Sequence, residues 1–244
     1  FWHAFFTRLG FEVVLSPESN RELYACGQHT IPSDTVCYPA KLAHGHIEKL
    51  LDAGVDAIFY PCLPYNFDEG KGDNHYNCPV VAYYPELLDA NVERLQETRF
   101  LMPYFGLHRP RDFAKKAAEF FGGEFGIPAR EVKEAAAAAY EAYDRYKEEL
   151  RRQGAEMIAY ARKQHMPVIV LAGRPYHMDP EINHGIDSLI ASFGLVVVTE
   201  DAVAFHEPKQ PVNVLNQWTY HSRLYSAAEY VTSQPDMQLV QLVS

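Results

Sequence analysis

The chain has 244 residues, of which 48% are hydrophobic and 22% are charged, and these proportions exclude a disordered chain as a whole. Its formal net charge is −10, from 32 acidic and 22 basic residues, which argues against a nucleic-acid partner. No run approaches the roughly 18 apolar residues of a membrane span, and no secretory segment opens the chain. We therefore expect a cytoplasmic protein without a membrane partner.

Both ends of the sequence lie within apolar segments. The chain begins at Phe1 without a methionine, in a stretch that already resembles the apolar face of a helix. It ends on a β-prone run from Met237 to Ser244. We expect a fragment of a longer protein, truncated at its carboxyl end.

The first hundred residues alternate between predicted helices and predicted strands. Pro39 suits the first turn of a helix, and Gly10 and Gly54 stand where helices end. Helices are predicted over residues 1–9 and 39–53, and strands over residues 11–15, 55–60 and 79–83. Strands separated by helices predict a parallel sheet, which we assign to a first α/β lobe over residues 1–100, with cysteine-bearing loops.

The remainder of the chain divides into a helical segment and a second lobe. Helices over residues 112–121 and 128–164 predict a connector over residues 101–165, and the longer one spans roughly 50 Å. Residues 166–244 form the second predicted α/β lobe, a βαβαβ unit. Its strands cover residues 167–172, 195–198 and the final run, and its helices cover residues 180–193 and 218–231.

Signatures of nucleotide-binding and hydrolytic enzymes are absent from the sequence. There is no G-x-x-x-x-G-K-[ST], no G-x-S-x-G, and the turn at Gly173 lacks the further glycines of a dinucleotide fingerprint. The chain by itself should neither hydrolyse ATP nor bind NAD in the usual way.

The cysteines stand at the boundaries of predicted elements. Cys37 precedes the helix over 39–53, where a helix N-terminus favours a thiolate, Cys62 follows the strand over 55–60, and Cys78 precedes residue 79. Thiolates from separate loops at one sheet edge can hold an iron–sulfur cluster or zinc. Since there is no C-x-x-C pair, ordinary burial is the alternative, and Cys26, inside an amphipathic helix, is interpreted as structural.

A second polar cluster lies in the loop after residue 172. Arg174 and the backbone N–H groups of this loop could hold an anion. Its histidines and acids, His177, Asp179 and His184 among them, could instead perform acid–base chemistry or bind a metal. A well-capped turn with surface polar groups is the third interpretation.

Five separated segments, in order along the chain, resemble one family. The sequence resembles the acyl-CoA dehydratase activase-related proteins, which are relatives of the D component of 2-hydroxyglutaryl-CoA dehydratase. The segments are residues 32–46, Pro61-Cys62, residues 77–81, residues 174–186 and residues 216–221.

The resemblance implies two Rossmann-like lobes and an iron–sulfur cluster, of the 4Fe-4S type, held by cysteines from several loops. It also implies an ATP-hydrolysing activase partner, often fused ahead of this region, that delivers a low-potential electron for reduction of an acyl-CoA substrate. Carried over by position, the ligand role falls on Cys37, Cys62 and Cys78. Family members continue into a Cys-Gly turn that this chain lacks, so we expect an incomplete cluster site that loses its cluster in air.

Three functions follow from these patterns. The first is an iron–sulfur component or fragment in ATP-driven, low-potential electron transfer, and it requires the sulfurs of Cys37, Cys62 and Cys78 to lie within several ångströms of one another, with Cys26 apart. The second is a CoA- or partner-binding module without its own redox centre. The third is a zinc-dependent enzyme centred on His177, Asp179 and His184.

Overall fold

The computed structural model describes residues 1–243 and shows an α/β protein with two small parallel sheets. The chain forms two compact units, residues 1–67 with 77–145, and residues 68–76 with those from 146 onwards. Ser244, the last residue of the predicted second lobe, lies outside the described residues. No helix within residues 1–243 combines the length and apolar composition that a bilayer crossing demands.

The first unit contains two strands and most of the helices. The helices are α1 (Trp2–Arg8), α2 (Arg21–Gly27), α3 (Tyr38–Asp52), α4 (Pro79–Asn91), α5 (Pro110–Phe125) and the start of α6 (Ala129–Lys163). The strands are β1 (Ala57–Phe59) and β2 (Arg99–Leu101), which pair in parallel with Ala57 opposite Arg99. Helix α4 forms the crossover between them, as a parallel pair requires.

Aromatic side chains fill the core of this unit beside the sheet. Phe5, Phe113 and Phe121 are fully buried, and Trp2 packs edge-on against Phe5. Alternating small and aromatic residues on α5 and α6 give these rings room, because the buried alanines of both helices line the same cluster. This packing explains why the amino-terminal helix is apolar on one face.

The prediction of two strands in the first unit, over residues 11–15 and 79–83, is wrong. Residues 79–83 form the first turns of α4, because Pro79 suits the first helical position and the buried residues Ala82, Tyr84 and Leu88 continue a helical face beyond the short apolar run. Residues 11–15 make no ladder. They line a cavity of about 790 Å³ together with β1, and they pair with no strand among residues 1–243.

The long helix α6 was predicted over residues 128–164 and is observed over Ala129–Lys163. Its first half, through Arg145, belongs to the first unit, and its second half belongs to the second unit. Val132 and Ala136 are buried in the aromatic core, whereas Ile158 and Ala161 are buried in the core of the second unit.

The second unit is built on a three-stranded parallel sheet. The strands are β3 (Val168–Ala172), β4 (Val196–Thr199) and β5 (Met237–Gln241), in the order β4-β3-β5. The helices are α7 (Pro180–Asn183), α8 (Ile186–Ser192) and α9 (Thr219–Thr232). The helix predicted over residues 180–193 is interrupted because His184 and Gly185 both have left-handed backbones, with φ of 54° and 73°.

The α/β class and the parallel pairing are confirmed. Sheets of two and three strands do not establish the Rossmann-like detail, which stays a prediction. All five residues of β3 are buried, and its unbroken apolar run is typical of the central strand in a parallel sheet.

Candidate functional site

Chain topology places three cysteines at one edge of the first sheet. Cys62 follows β1 at its carboxyl end, Cys78 stands at the start of α4, and Cys37 stands at the start of α3, the helix that leads into β1. A helix that packs against a parallel strand runs antiparallel to it, so its amino end lies at the carboxyl end of the strand. The sequence prediction placed Cys37 and Cys62 at this edge, and the change of residues 79–83 to a helix adds Cys78.

Backbone hydrogen bonds hold Cys62 at the edge of the sheet. Its N–H donates to the carbonyl of Pro103 (2.9 Å), its carbonyl accepts from the N–H of Phe105 (3.1 Å), and it forms a parallel bridge with Tyr104. The side chain is fully buried. Burial, followed by the charge of Glu86, raises the pKa of the Cys62 thiol, while the hydrogen bond with Tyr104 acts in the opposite direction.

Cys37 and Cys78 occupy equivalent positions on two helices. Each is the residue just before its helix, α3 or α4, and each is followed by a proline in the first turn, Pro39 or Pro79. Both have extended backbones and half-buried side chains, and neither side chain caps its helix. Each cysteine therefore lies beside backbone N–H groups that have no partner within their helix.

A buried hydrogen-bonded chain connects α2, α3 and α4 beneath this edge. The Tyr84 hydroxyl donates to Nε2 of His44 (2.9 Å), and the other ring nitrogen of His44 donates to the hydroxyl of Thr30 (2.7 Å), which in turn donates to the carbonyl of Gly27. Burial lowers the pKa of His44 to about 4, so the ring is neutral at neutral pH. His44 is thus a core residue with both ring nitrogens hydrogen-bonded.

Two tyrosines of the first unit, Tyr60 and Tyr84, have raised pKa values. Burial raises the pKa of Tyr84 to about 12, with further contributions from Tyr60 and Cys37. Burial also raises the pKa of Tyr60 to about 12, with a contribution from Cys62.

Cys26 lies apart from the sheet edge. It is in α2, and its thiol donates to the carbonyls of Leu23 (3.1 Å) and Gly45 (3.7 Å). Gly45 is eight residues along α3 from Cys37, about 12 Å at the helical rise. All four cysteines are free thiols.

Iron–sulfur clusters are bound by cysteine thiolates from separate loops. The three thiols at this edge therefore have the chemistry that such a cluster requires. Within residues 1–243, however, no three histidine, cysteine, aspartate or glutamate side chains form a group that could hold a metal ion. The expectation that the three sulfurs converge to bonding distance of one cluster stays a prediction.

The predicted ligand residues of the second unit separate into two places. The N–H of Arg174 donates to Nδ1 of His177 (2.9 Å), and His177 is buried. The carboxylate of Asp179 accepts the N–H groups of Glu181 and Ile182 and so caps α7, whereas His184 is exposed at the end of that helix. The loop N–H groups that were predicted to hold an anion are thus partly used within the loop.

Sequence reasoning missed a buried ion-pair network at the carboxyl end of β4. Arg223 of α9 pairs with Glu69, with Glu200 (3.5 Å) and with Asp201 (3.9 Å), and its side chain is 12% exposed. Burial and then the neighbouring Asp201 raise the pKa of Glu200 to about 7, although Arg223 opposes this. The signal that could have found this network is the pair of acids directly after the strand over residues 195–198, since carboxyl ends of parallel strands carry sites.

Comparison with curated proteins and comparison with solved structures both gave no match. The sequence profile of one family, described as "CoA enzyme activase uncharacterised domain (DUF2229)", matches residues 1–203, which include all four cysteines and the loop after β3. This match covers most of the chain and agrees with the resemblance read from the five segments. The chain therefore belongs to the family of CoA enzyme activase domains.

Proposed function

We propose that the chain acts in a 2-hydroxyacyl-CoA dehydratase system as the component that carries an iron–sulfur cluster on Cys37, Cys62 and Cys78. An ATP-hydrolysing activase domain would be its partner, and an acyl-CoA the ultimate electron acceptor. A cluster bound there would supply one-electron transfer at low potential.

The observation that carries the proposal is the common edge of the three cysteines. Cys37 and Cys78 each precede a helix, with side chains that cap nothing, and Cys62 lies between them in chain order on the carboxyl side of β1. Two helix ends directed at one edge would offset the negative charge of thiolate ligands. Family membership adds support, because the matched region contains all three positions.

The surrounding residues would hold the edge rigid and keep water away. Tyr84 is 3% exposed and is fixed through its hydrogen bond to His44, which is fully buried. Cys62 is held by two backbone hydrogen bonds to the segment after β2. Binding of a cluster would have to draw the two helix starts towards this fixed thiol.

Anaerobic reconstitution with ferrous iron and sulfide tests the proposal. The wild-type chain should become brown and bind iron and sulfide in equal numbers, and Cys37→Ser, Cys62→Ser and Cys78→Ser should each lower the bound iron by at least about half because a thiolate ligand is lost. Cys26→Ser is the matched control, and its iron content should equal that of wild type. A colourless protein, or equal losses in all four variants, would refute the proposal.

The second candidate is a CoA- or partner-binding module without a redox centre. It is favoured by the guanidinium of Arg174, which takes part in none of the ion pairs formed within residues 1–243. The zinc enzyme gains no comparable support, since Asp179 is used as a helix cap and Nδ1 of His177 accepts a backbone N–H. CoA binding by the iron-free protein distinguishes the module from the cluster carrier.

A further inference from the structure

Arg174, in the second unit, forms no ion pair with any carboxylate of residues 1–243. Its side chain extends from the loop after β3, where Nη1 lies 3.3 Å from the Tyr176 hydroxyl and Nη2 lies 3.5 Å from Nε2 of His221. Both are long contacts to neutral groups. By contrast, Arg223 on the neighbouring helix is surrounded by three carboxylates. Burying part of a guanidinium without pairing its charge with an anion costs free energy.

The guanidinium lies against the start of α9. His221 is the third residue of this 14-residue helix, so its contact with Arg174 places the charge beside the first turn. The residue before the helix, Trp218, provides no side-chain cap. The first N–H groups of an α-helix have no partner within the helix, and this end carries partial positive charge.

Two buried side-chain atoms, one in the loop after β3 and one at the start of α9, have no hydrogen-bond partner within residues 1–243. Thr219, the first residue of α9, is 4% exposed, and its hydroxyl has no partner. His177 is 5% exposed, and its Nε2 also has none. Because Nδ1 of His177 accepts the N–H of Arg174, the ring proton of the neutral histidine is on Nε2. Both groups are therefore able to donate, and leaving a buried donor unsatisfied is costly.

Two acids of this region, Glu200 and Asp179, are already engaged. Glu200 faces Arg223 and accepts the N–H of Gly173, and both N–H acceptor contacts of Asp179 are to the backbone of α7. Within residues 1–243, Nε2 of His177 and the hydroxyl of Thr219 thus remain without an acceptor. The loop that holds Arg174 and His177 follows the carboxyl end of β3, and open parallel sheets bind ligands at this edge.

We propose that Arg174, His177, Thr219 and the first turn of α9 bind the oxyanion of a phosphate monoester. A planar guanidinium can pair with two phosphate oxygens, and the N–H groups of a helix amino end can donate to the third. The site lies in the second unit and uses none of the cysteines, so it deepens the CoA-binding candidate and is independent of the cluster. Asp179 and His184, which the sequence had included, take no part.

Calorimetric titration of the iron-free, full-length chain tests this site, with 3′,5′-ADP as the phosphate monoester and inorganic phosphate and acetate as comparison anions. Arg174→Gln should weaken 3′,5′-ADP binding by about tenfold or more, because a hydrogen-bonded charge is removed. Thr219→Val, which keeps the side-chain shape, should weaken it by about threefold to tenfold. Arg152→Gln, an exposed arginine of the same unit, is the matched control and should change it by less than about twofold.

The comparison ligands separate the sources of the phosphate. Tighter binding of CoA than of dephospho-CoA, lost in Arg174→Gln, supports the 3′-phosphate of CoA as the occupant. Binding of inorganic phosphate alone, with the same loss, supports a site for the free ion. Absence of binding by any phosphate, equal competition by acetate, or unchanged affinity in both Arg174→Gln and Thr219→Val would overturn the proposal. Thermal unfolding of each variant shows whether it is folded, and none of these readouts depends on iron.

Discussion

The crossing of α2 and α3 leads to a sharp prediction about two glycines. A Cβ atom added at Gly45 would lie 2.0 Å from the carbonyl oxygen of Leu23, whereas one added at Gly123, in α5, would meet nothing within 4 Å. Both substitutions by alanine gain helix propensity, up to about 1 kcal/mol. At Gly45, moving from 2.0 Å to an ordinary contact of 3.4 Å requires a shift of about 1.4 Å between two backbones, which no side-chain rotation can provide.

We therefore expect the two glycine-to-alanine substitutions to change the free energy of unfolding in opposite directions. Gly45→Ala should lower the free energy of unfolding by about 2–3 kcal/mol or more, as overpacked cores do, and Gly123→Ala should raise it by about 0.5 kcal/mol. Urea unfolding followed by fluorescence measures both, in a Trp218→Phe background so that Trp2 of the first unit is the reporter. If Gly45→Ala leaves the urea midpoint unchanged or raises it, the close approach of α2 and α3 at Gly45 is refuted.

Three further outcomes are expected. Tyr84→Phe removes the donor to Nε2 of fully buried His44 and should cost about 1–3 kcal/mol in urea unfolding, while Tyr83→Phe, at a site that is 48% exposed, should change stability by less than about 0.5 kcal/mol. The raised pKa of Glu200 means that the folded state holds its proton more tightly, so this group contributes stability below about pH 4.5 that is lost as the pH rises towards 7. The stability difference between wild type and Glu200→Gln should fall over that window, by at most about 1.4 kcal/mol per pH unit, and a pH-independent difference would contradict the assignment. Alkylation by iodoacetamide at pH 8, followed by peptide mass spectrometry, should modify Cys62 last of the four cysteines, because it is fully buried and its thiol pKa is raised; early modification would refute this burial.

Local patterns explain which parts of the fold could be predicted. The long helix was placed to within one residue at each end, because a helix satisfies its hydrogen bonds within its own segment and its period is visible in the sequence. The central strand over Val168–Ala172 was equally clear, since five consecutive apolar residues favour a strand covered on both faces, and all five are buried. Residues 79–83 were wrongly predicted as a strand, because a short apolar run is compatible with either a strand or a helix.

The same reasoning applies to the candidate sites. The sequence placed Cys37 and Cys62 at the ends of elements, and the parallel-sheet rule was sufficient to bring them to one edge. It could not pair Arg174 with His221, which are 47 residues apart, because no pattern in either segment encodes the other. It also included Asp179 as a ligand, although that carboxylate is used by the helix that it begins.

The sequence by itself determined the α/β class, the long helix, the cysteine positions at element boundaries and the resemblance to CoA enzyme activases. Tertiary structure alone decided that β1 pairs with Arg99–Leu101 and that residues 11–15 form no ladder. It also decided that buried His177 and Thr219 each keep a donor without a partner among residues 1–243. The physical reason is the range of the interactions. Helix hydrogen bonds and caps join residues within four positions of each other, whereas strand pairing, burial and the balance of charge depend on segments that meet only when the chain is folded.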